Sequence, residues 1–503
     1  MKKIFYSLAL ATLILSCKPS ASVVSNTAKS EVQVSIDLNS VKDDKVMVTL
    51  TPPAISSEKI TYHIPKIIPG TYSEDDYGKY IENVKAYDSK GNSLIVAKID
   101  DNSWTISDAK KLAKLTYLVN DTYDIEEKHD IFSPAGTNID AGKNFMLNTH
   151  GFVGYFSEFS EIPYTVNISH PATLWGSTSM TDTDASDSKD TFTVSRYSEL
   201  VENPIMYSKP DYTTFNVNGM DILIAVYSPN GLITAESITP EMKTMMTAQK
   251  NFLGKFNATK KYSVLIYLSK GEKDAEGFGA LEHPTATTVV MPEMMPKDQL
   301  AEQLKDIVSH EFFHIVTPLT IHSKEIQYFD YNKPKMSEHL WMYEGVTEYF
   351  ANLFQVNQGL ITEEDFFNRM ATKIANASTM DDTMPFTKMS AEVLRKPYKE
   401  QYLNVYEKGA LIAMCLDIEI REESNGERGI LDLMQKLSNE YGTKKAFDDK
   451  ELFDKITSLT SPKVREFLDT YVSGPTPIPY EKYFAKMGVE KSKICLLYTS
   501  DAA

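Results

Sequence analysis

Cysteine is scarce in this sequence, with three residues in a chain of 503. A disulfide framework is therefore not indicated, and we expect the domains to be held together by packed hydrophobic cores. Positive charge is also in deficit, because 52 lysines and arginines stand against 69 acidic residues and give a formal net charge of −17. This balance argues against a nucleic-acid-binding protein, which normally presents a basic surface.

The N-terminal apolar run is too short to span a membrane. Residues 4–15 are largely apolar, and a run of this length is typical of the central part of a secretory signal sequence. Lys2 and Lys3 supply the positive charge that usually precedes it. The run leads into Ile-Leu-Ser-Cys, which resembles the lipobox of bacterial lipoproteins. We therefore predict that residues 1–16 are a lipoprotein signal peptide and that Cys17 is lipidated.

The lipobox resemblance also predicts a location. Lipid on Cys17 would anchor the mature chain to a membrane of the bacterial cell envelope, on its periplasmic or surface face. Lys18 follows the cysteine, which by analogy with known sorting rules favours the outer membrane. Residues 17–30 are small and polar and are expected to form a flexible tether. An ordinary secretory signal with a chance cysteine is the alternative.

Two apolar patterns divide the rest of the chain. Up to about residue 238, runs such as VQVSIDL and KVMVTLT alternate apolar and polar residues, which is typical of half-buried strands. Beyond it, helical periodicity dominates, as in KDQLAEQLKDIVSHEFFHIV. The length suggests two or three domains. We predict an α+β multidomain fold, with an N-terminal antiparallel β domain over residues 31–238 and a mainly α-helical domain over residues 239–489.

The stretch HEFFH, residues 310–314, indicates metal chemistry. On a helix, His310 and His314 lie one turn apart on the same face, where two imidazoles can bind one zinc ion. Glu311 between them can reach a water molecule at the metal and act as general base. A helix with two unrelated histidines is the alternative. It is disfavoured because the chain has only nine histidines and this helix is amphipathic and clearly bounded.

A catalytic zinc needs a third protein ligand and an open coordination position. Glu344, in the stretch LWMYEG of the next predicted helix, is the candidate. Glu338 and Glu348 carry the same charge, but Glu348 lies one turn beyond Glu344 and is expected to support the site or to face solvent. His322 and His339 could in principle bind the metal, although a loop histidine and a helix-start histidine are the expected roles.

Three motifs together resemble one peptidase family. HEFFH is followed, after twenty-nine residues, by the glutamate of LWMYEG; GALEH, residues 279–283, precedes it; and VYEKG, which contains Tyr406, follows it. This combination resembles the M61 family, the glycyl aminopeptidases, which are similar to the larger M1 aminopeptidases. IPGTY, the tryptophan of DDNSWTI and YSELVENPI extend the resemblance into the β half, from about residue 31 to about residue 489.

The resemblance implies a thermolysin-like catalytic domain of the gluzincin type. One Zn²⁺ per chain would be held by His310, His314 and Glu344. Tyr406, at the start of the YxKG segment, would help to stabilise the transition state, whereas Lys408 beside it is expected to be structural. The implied enzyme is a zinc aminopeptidase that acts on peptides with a free N-terminus and favours glycine and alanine.

Glu282 of GALEH sets the direction of cleavage in this interpretation. A buried carboxylate near the zinc can pair with the α-ammonium group of a peptide, whereas a solvent-exposed glutamate at a strand end is the alternative. Gly279 and Ala280 would let the substrate backbone approach closely. No role is predicted for His283. A zinc endopeptidase and a catalytically inactive surface lipoprotein are the alternative functions.

The last residues of the chain, 490–503, do not continue the preceding pattern. M61 proteins usually carry a C-terminal PDZ-like domain, and this chain stops about where that domain would begin. We therefore expect a non-native or truncated tail, with an unusual natural tail as the alternative.

Overall fold

The computed structural model describes residues 31–124, 131–256, 259–271, 273–275 and 277–490. The predicted signal peptide and tether, with Cys17, lie outside these residues, as does nearly all of the predicted tail. Within the described ranges, no helix combines the length and the apolar composition needed to cross a membrane.

The first part of the fold is built from short β-strands, as the sequence predicts. Its strands are β1 (Val32–Asp37), β2 (Lys45–Thr51), β3 (Lys59–His63), β4 (Ile81–Asp88), β5 (Ser93–Leu94), β6 (Val96–Asp100), β7 (Ser103–Ser107), β8 (Leu112–Asn120), β9 (Asn138–Asp140), β10 (Asn144–Leu147), β11 (Tyr155–Phe156), β12 (Tyr164–Ser169), β13 (Trp175–Ser177), β14 (Lys189–Val194) and β15 (Ile205–Ser208). In β2, Val46, Val48 and Leu50 are buried and alternate with more exposed residues, because successive side chains of a strand point to opposite faces.

These strands form three sheets within the described residues. The largest has the order β14-β12-β1-β2-β8-β4-β5, and the two smaller ones have the orders β13-β15-β10-β9 and β11-β3-β7-β6. The pairs are antiparallel except β1 with β12. Tyr62 and Tyr117 lie in the core of this part, and their hydroxyl oxygens are 2.7 Å apart. Two short helices, α1 (Thr149–Phe152) and α2 (Tyr197–Val201), complete it.

The second part contains a five-stranded sheet and most of the helices. Its strands are β16 (Tyr212–Val217), β17 (Met220–Tyr227), β18 (Lys261–Ser269), β19 (Gly279–His283) and β20 (Ala286–Pro292), in the order β16-β17-β18-β20-β19. Strands β17, β18 and β20 are parallel, and β19 is an antiparallel edge strand.

The predicted N-terminal domain, residues 31–238, includes one hairpin that pairs with this sheet. The strands of the β16–β17 hairpin alternate like those before them, and the sequence therefore predicts them as part of the N-terminal domain. The hairpin joins the second part instead, since β17 pairs in parallel with β18. Residue 238 lies inside a helix, Ala235–Leu253.

The helices of the second part pack on this sheet and on each other. They are α3 (Ala235–Leu253), α4 (Lys297–Phe313), α5 (Lys324–Gln327), α6 (Thr347–Asn357), α7 (Glu363–Ala377), α8 (Phe386–Ala391), α9 (Glu407–Glu423), α10 (Ile430–Glu440), α11 (Leu452–Leu459), α12 (Pro462–Phe467) and α13 (Tyr480–Lys486). Leu300, Leu304 and Val308 form the buried stripe of α4, which fixes the rotation of the helix that carries HEFFH.

Candidate active site

The two histidines of HEFFH lie at the C-terminal end of α4. Phe313 is the last helical residue, and His314 is the C-cap with helical backbone angles, so the spacing of one helical turn is kept. The ring centroids of His310 and His314 are 4.9 Å apart. The predicted helix and the common face of the two imidazoles are therefore present.

Glu344 reaches the histidines from a π-helical turn, Trp341–Val346, that precedes α6. Gly345 of this turn crosses Gly409 of α9 so closely that a Cβ on Gly345 would lie 2.5 Å from the Gly409 carbonyl carbon. This close crossing places Glu344 Oε2 at 3.3 Å from His310 Nε2 and at 3.6 Å from His314 Nε2.

The other nitrogen of each imidazole is held by the protein. His310 Nδ1 lies 2.7 Å from Glu348 Oε2, and His314 Nδ1 lies 3.2 Å from the carbonyl oxygen of Thr317. A donor hydrogen at each Nδ1 leaves both Nε2 lone pairs directed at the same point as Glu344 Oε2. Lys373 holds Glu348 in turn, with Nζ at 2.7 Å from Oε1.

Electrostatics favour a cation at this point. Burial opposes a charge on His310, but its hydrogen bonds to Glu344 and Glu348 outweigh burial and raise the pKa of the imidazole well above its usual value. Burial likewise opposes a charge on Glu348, yet Lys373 and His310 lower the pKa of that carboxyl to about 2. The carboxylates that attract a proton would also attract a divalent metal ion.

These residues fit a zinc ion. One ligand atom from each of His310, His314 and Glu344 lies within 4.8 Å of the others, and two imidazoles with one carboxylate form a donor set that zinc commonly takes in hydrolytic sites. Glu311 is buried beside them, and its Oε2 has no hydrogen-bond partner among the described residues. Burial raises the pKa of Glu311 to about 7, although His310 partly opposes this.

Tyr406 lies beside the candidate metal ligands, at the N-cap of α9. Its ring centroid is 5.6 Å from that of His310. Its hydroxyl oxygen is 2.6 Å from that of Tyr402, one turn earlier in the chain. Burial is the main reason that the pKa of Tyr406 is raised well above its usual value, so the hydroxyl keeps its proton.

Glu282 enters the same site from the edge strand β19. A carboxylate oxygen of Glu282 lies within 4.8 Å of ligand atoms of Glu311 and His314. Burial, followed by the negative charges of Glu344 and Glu311, raises the pKa of Glu282 well above its usual value. No lysine or arginine in the described part of the chain forms an ion pair with Glu282. The Glu282 carboxylate is therefore available to form an ion pair with a cationic group of a ligand.

An open cleft of about 990 Å³ leads to these residues. Gly279 and Ala280 of β19 line it together with His310, Glu311 and Tyr406. Its far wall is polar and comes from α4, α6 and α7, with Asp306, Asn352 and Arg369 among the lining side chains. The cleft has room for an extended peptide beside the candidate metal ligands.

Two family models match this chain over its two parts. The Peptidase M61 N-terminal domain matches residues 33–209, and the M61 glycyl aminopeptidase model matches residues 303–412. Together these ranges cover more than half of the chain and include HEFFH, Glu344 and Tyr406. This chain belongs to the M61 peptidase family. It is therefore an enzyme, a hydrolase of the metallo-aminopeptidase class.

Solved structures share the fold of this M61 peptidase. An aminopeptidase N family protein from Idiomarina loihiensis is 19% identical, with a TM-score of 0.77, over 91% of this chain and 78% of that chain. A glutamate-to-alanine variant of an M1 zinc metallopeptidase from Deinococcus radiodurans, bound to a Tyr-Ser-Ala substrate, is 14% identical with a TM-score of 0.55, over 90% of this chain and 95% of that chain. The comparison with curated proteins gave no match.

Other residues considered from the sequence have different partners in this M61 peptidase. Glu338 pairs with Lys450 on the surface. The ring nitrogens of His322 contact the Pro318 carbonyl and the Gln327 side chain. His339 Nε2 contacts the carbonyl oxygen of Asp449, and Lys408 Nζ forms an ion pair with Asp382. None of these four side chains lies in the candidate metal centre.

Sequence reasoning missed three contributors to the site, which are Tyr402, Tyr72 and Gly70. Tyr402 has only a weak signal, its spacing of one helical turn from Tyr406. Tyr72 was noted only as part of the IPGTY motif, but its hydroxyl donates a hydrogen bond of 2.6 Å to Glu344 Oε1. Gly70 of the same motif packs against Glu282, since a Cβ on Gly70 would lie 2.6 Å from Glu282 Oε1.

Proposed function

We propose that this M61 peptidase is a zinc-dependent aminopeptidase that removes single N-terminal residues from peptides, with glycine and alanine favoured. The observation that carries the proposal is the position of Glu282. This carboxylate shares one site with Glu311 and the three candidate metal ligands, and it forms no ion pair with a lysine or arginine among the described residues. An α-ammonium group would satisfy it and would fix the peptide N-terminus beside the metal.

His310, His314 and Glu344 would hold the zinc ion. When bound there, zinc would act as a Lewis acid that makes a water molecule more acidic and polarises the scissile carbonyl. The hydrogen bonds of His310 to Glu348 and of His314 to Thr317 would hold both rings in ligating orientation.

Glu311 would act as general base and then as general acid. Its Oε2, which has no hydrogen-bond partner among the described residues, would take a proton from the attacking water while the water oxygen bonds to the carbonyl carbon. The same oxygen would deliver that proton to the leaving nitrogen as the carbon–nitrogen bond breaks. The free amino acid and the shortened peptide are the products, and Glu311 returns to its starting form.

Tyr406 would stabilise the oxyanion that develops on the carbonyl oxygen. With Tyr402 as the donor in the bond between the two hydroxyls, the Tyr406 proton is free for the oxyanion. A donor of this kind commonly contributes about 3 kcal/mol to transition-state stabilisation. Gly279 and Ala280 would let the substrate backbone lie along β19 without steric conflict.

The test compares free and blocked substrates. Acetylation of the peptide amine should lower kcat/KM of the wild type by roughly 10- to 150-fold, because it removes a charge-assisted contact of about 1.5–3 kcal/mol. Glu282→Ala should cause a similar loss on free peptides and little further loss on acetylated ones, because both changes remove one interaction. An acetylated peptide cut internally as fast as its free form would favour a zinc endopeptidase.

The residue preference needs a separate measurement. Glycine and alanine are taken from the M61 family, so Gly-, Ala-, Leu- and Arg-anilides should be hydrolysed in falling order from the first two to the last two. Faster cleavage of Leu or Arg than of Gly would overturn the preference and leave the aminopeptidase proposal standing.

We also propose that lipid on Cys17 anchors the enzyme to the cell envelope, which rests on the lipobox resemblance. Acyl chains would supply the membrane affinity, so Cys17→Ser should move the enzyme from the membrane fraction to the soluble fraction. Cys495→Ser is the matched control and should stay with the membrane. A wild-type enzyme found wholly in the soluble fraction would contradict this location.

A further inference from the structure

Tyr72 connects the N-terminal part to the candidate metal centre. It lies in the segment between β3 and β4, yet it packs in the hydrophobic core of the second part and only 8% of its surface is exposed. Its hydroxyl donates to Glu344 Oε1, and its ring centroid is 5.4 Å from that of Tyr402. A residue distant in sequence therefore contacts the third candidate ligand directly.

The two oxygens of Glu344 have different partners. Oε2 faces the Nε2 atoms of His310 and His314 at 3.3 and 3.6 Å. Oε1 accepts the hydrogen bond from Tyr72. A carboxylate that bound a metal through both oxygens would occupy a position that a hydrolytic site needs for water or substrate. The hydrogen bond to Oε1 opposes such a rotation of the carboxylate.

We propose that Tyr72 is a positioning residue supplied by the N-terminal domain, which holds Glu344 so that only Oε2 binds the metal. The proposal rests on the proposed function, since it takes Glu344 as a zinc ligand. Hydrogen bonds to metal ligands from outside the coordination sphere commonly change metal affinity or activity by 10- to 100-fold.

Backbone hydrogen bonds hold the loop that carries Tyr72 against the second part of the fold. The amides of Lys66 and Ile67 donate to the Tyr331 carbonyl of the second part at 3.0 and 3.1 Å, which fixes the start of the loop. The amide of Asp75 returns to the Lys66 carbonyl at 2.9 Å and closes it. Tyr72 itself has a φ of 48°, in a region that residues with a side chain rarely adopt. Such a conformation persists only where surrounding contacts impose it.

The same loop contacts a second carboxylate of the site. Gly70 has a φ of 92°, and a Cβ there would lie 2.6 and 2.7 Å from the two oxygens of Glu282. One short loop thus reaches both the candidate metal ligand Glu344 and the candidate amine-binding Glu282. The candidate site is incomplete without the N-terminal part of the fold.

The test measures zinc affinity by competition with a chelator, in the full chain. Tyr72→Phe removes only the hydroxyl and should weaken zinc binding by about 10- to 100-fold. Tyr207→Phe is the matched control, because its buried hydroxyl also donates to a carboxylate, Asp190 Oδ2, outside both the site and the 66–76 loop. It should bind zinc like the wild type. Thermal unfolding of the metal-free proteins reports whether each variant is folded.

The outcomes separate this inference from the proposed function. Zinc affinity of Tyr72→Phe equal to that of the wild type, or equal losses in both variants, would overturn the role of Tyr72. A wild type that binds no zinc, or a His310→Ala variant that binds it equally well, would overturn the proposed function instead.

A measurement on the wild type keeps the inference testable if Tyr72→Phe does not fold. Zinc bound to Glu344 should also stabilise the hydrogen bond between Tyr72 and Glu344, because coupling between two sites is reciprocal. Amide hydrogen exchange in residues 66–76 should therefore be slower with zinc than without it. Equal exchange rates in this segment would overturn the inference.

Discussion

The two parts of this protein use buried titratable side chains differently. In the N-terminal part, Asp121 accepts hydrogen bonds from the backbone amides of Tyr123 and Ile139, and His150 Nε2 donates to the Ala135 carbonyl at 2.8 Å. These two side chains complete backbone hydrogen bonds of the fold. Burial is nevertheless the largest influence on both, and it raises the pKa of Asp121 to about 7 and lowers that of His150 to about 4.

In the second part, the buried titratable groups face one another. His310 and His314 both point at Glu344, while Glu311 and Glu282 lie within reach of the same point. Like charges that lie close together in a buried site destabilise the folded state unless a cation binds between them. Burial and a shifted pKa thus occur in both parts, whereas the convergence of two histidines and three carboxylates on one point distinguishes the candidate active site.

Loss of a converging ligand should have the largest effect. We expect Glu344→Ala to lose zinc and activity, because two imidazoles alone form an incomplete site. Glu348→Ala should keep zinc with about 10- to 100-fold weaker affinity, since it removes only the support of His310 Nδ1. Metal analysis by mass spectrometry after gel filtration measures both. Zinc lost equally from the two variants would contradict the assigned ligand set.

Glu311→Gln should separate chemistry from metal binding. The amide cannot accept the proton, so kcat should fall by about 10²- to 10⁴-fold while zinc content and thermal stability stay near those of the wild type. Steady-state kinetics and metal analysis on the same sample provide the check. If zinc is lost as completely as in His310→Ala, Glu311 is a ligand and its role as general base is wrong.

Gly70→Ala tests how the N-terminal loop shapes the amine-binding position. The added Cβ would collide with Glu282, so kcat/KM on free-amine peptides should fall by about tenfold or more. Gly91→Ala is the matched control, because Gly91 has a similar φ of 84° and no atom of the described residues lies within 4 Å of its Cβ position. Its activity should be that of the wild type. Equal losses of kcat/KM in both variants would mean that the loss comes from an alanine at a positive φ and not from the contact with Glu282.

His150 should affect stability alone, and the effect should appear only in acid. Its folded pKa of about 4 lies below the ordinary value of 6.5. As pH falls below 6.5, the unfolded chain takes up a proton that the folded chain does not. The free energy of unfolding should therefore fall by about 1.4 kcal/mol per pH unit towards pH 4 from this group.

Denaturation of chelator-treated protein at pH 6.5 and 4.5 measures this contribution without the metal. His150→Gln should lose less stability than the wild type over that interval, and its zinc affinity and kcat at neutral pH should be unchanged. A changed kcat would show that His150 also contributes to the active site. It would contradict the distinction between side chains that bond to the backbone and side chains that converge at the active site.

Local patterns in the sequence determined the elements that carry the chemistry. The spacing of His310 and His314 requires a common face once the segment is helical, and the stripe at Leu300, Leu304 and Val308 ensures that it is. Period-two alternation in the N-terminal strands likewise follows from side-chain geometry. The need for a third zinc ligand pointed to Glu344, and the family resemblance added Tyr406 and Glu282; the structure places all three in one site.

The tertiary structure alone decided which partners those residues have. The β16–β17 hairpin belongs to the sheet of the second part because β17 pairs in parallel with β18. No local pattern of alternation distinguishes the strands of one sheet from those of another. The bond between Tyr72 and Glu344 joins positions 272 residues apart in the chain. Periodicity predicts which face of an element is buried, but it carries no information on what a distant loop will contact. Tyr72 and Gly70 therefore became visible as parts of the site only when the two domains were packed together.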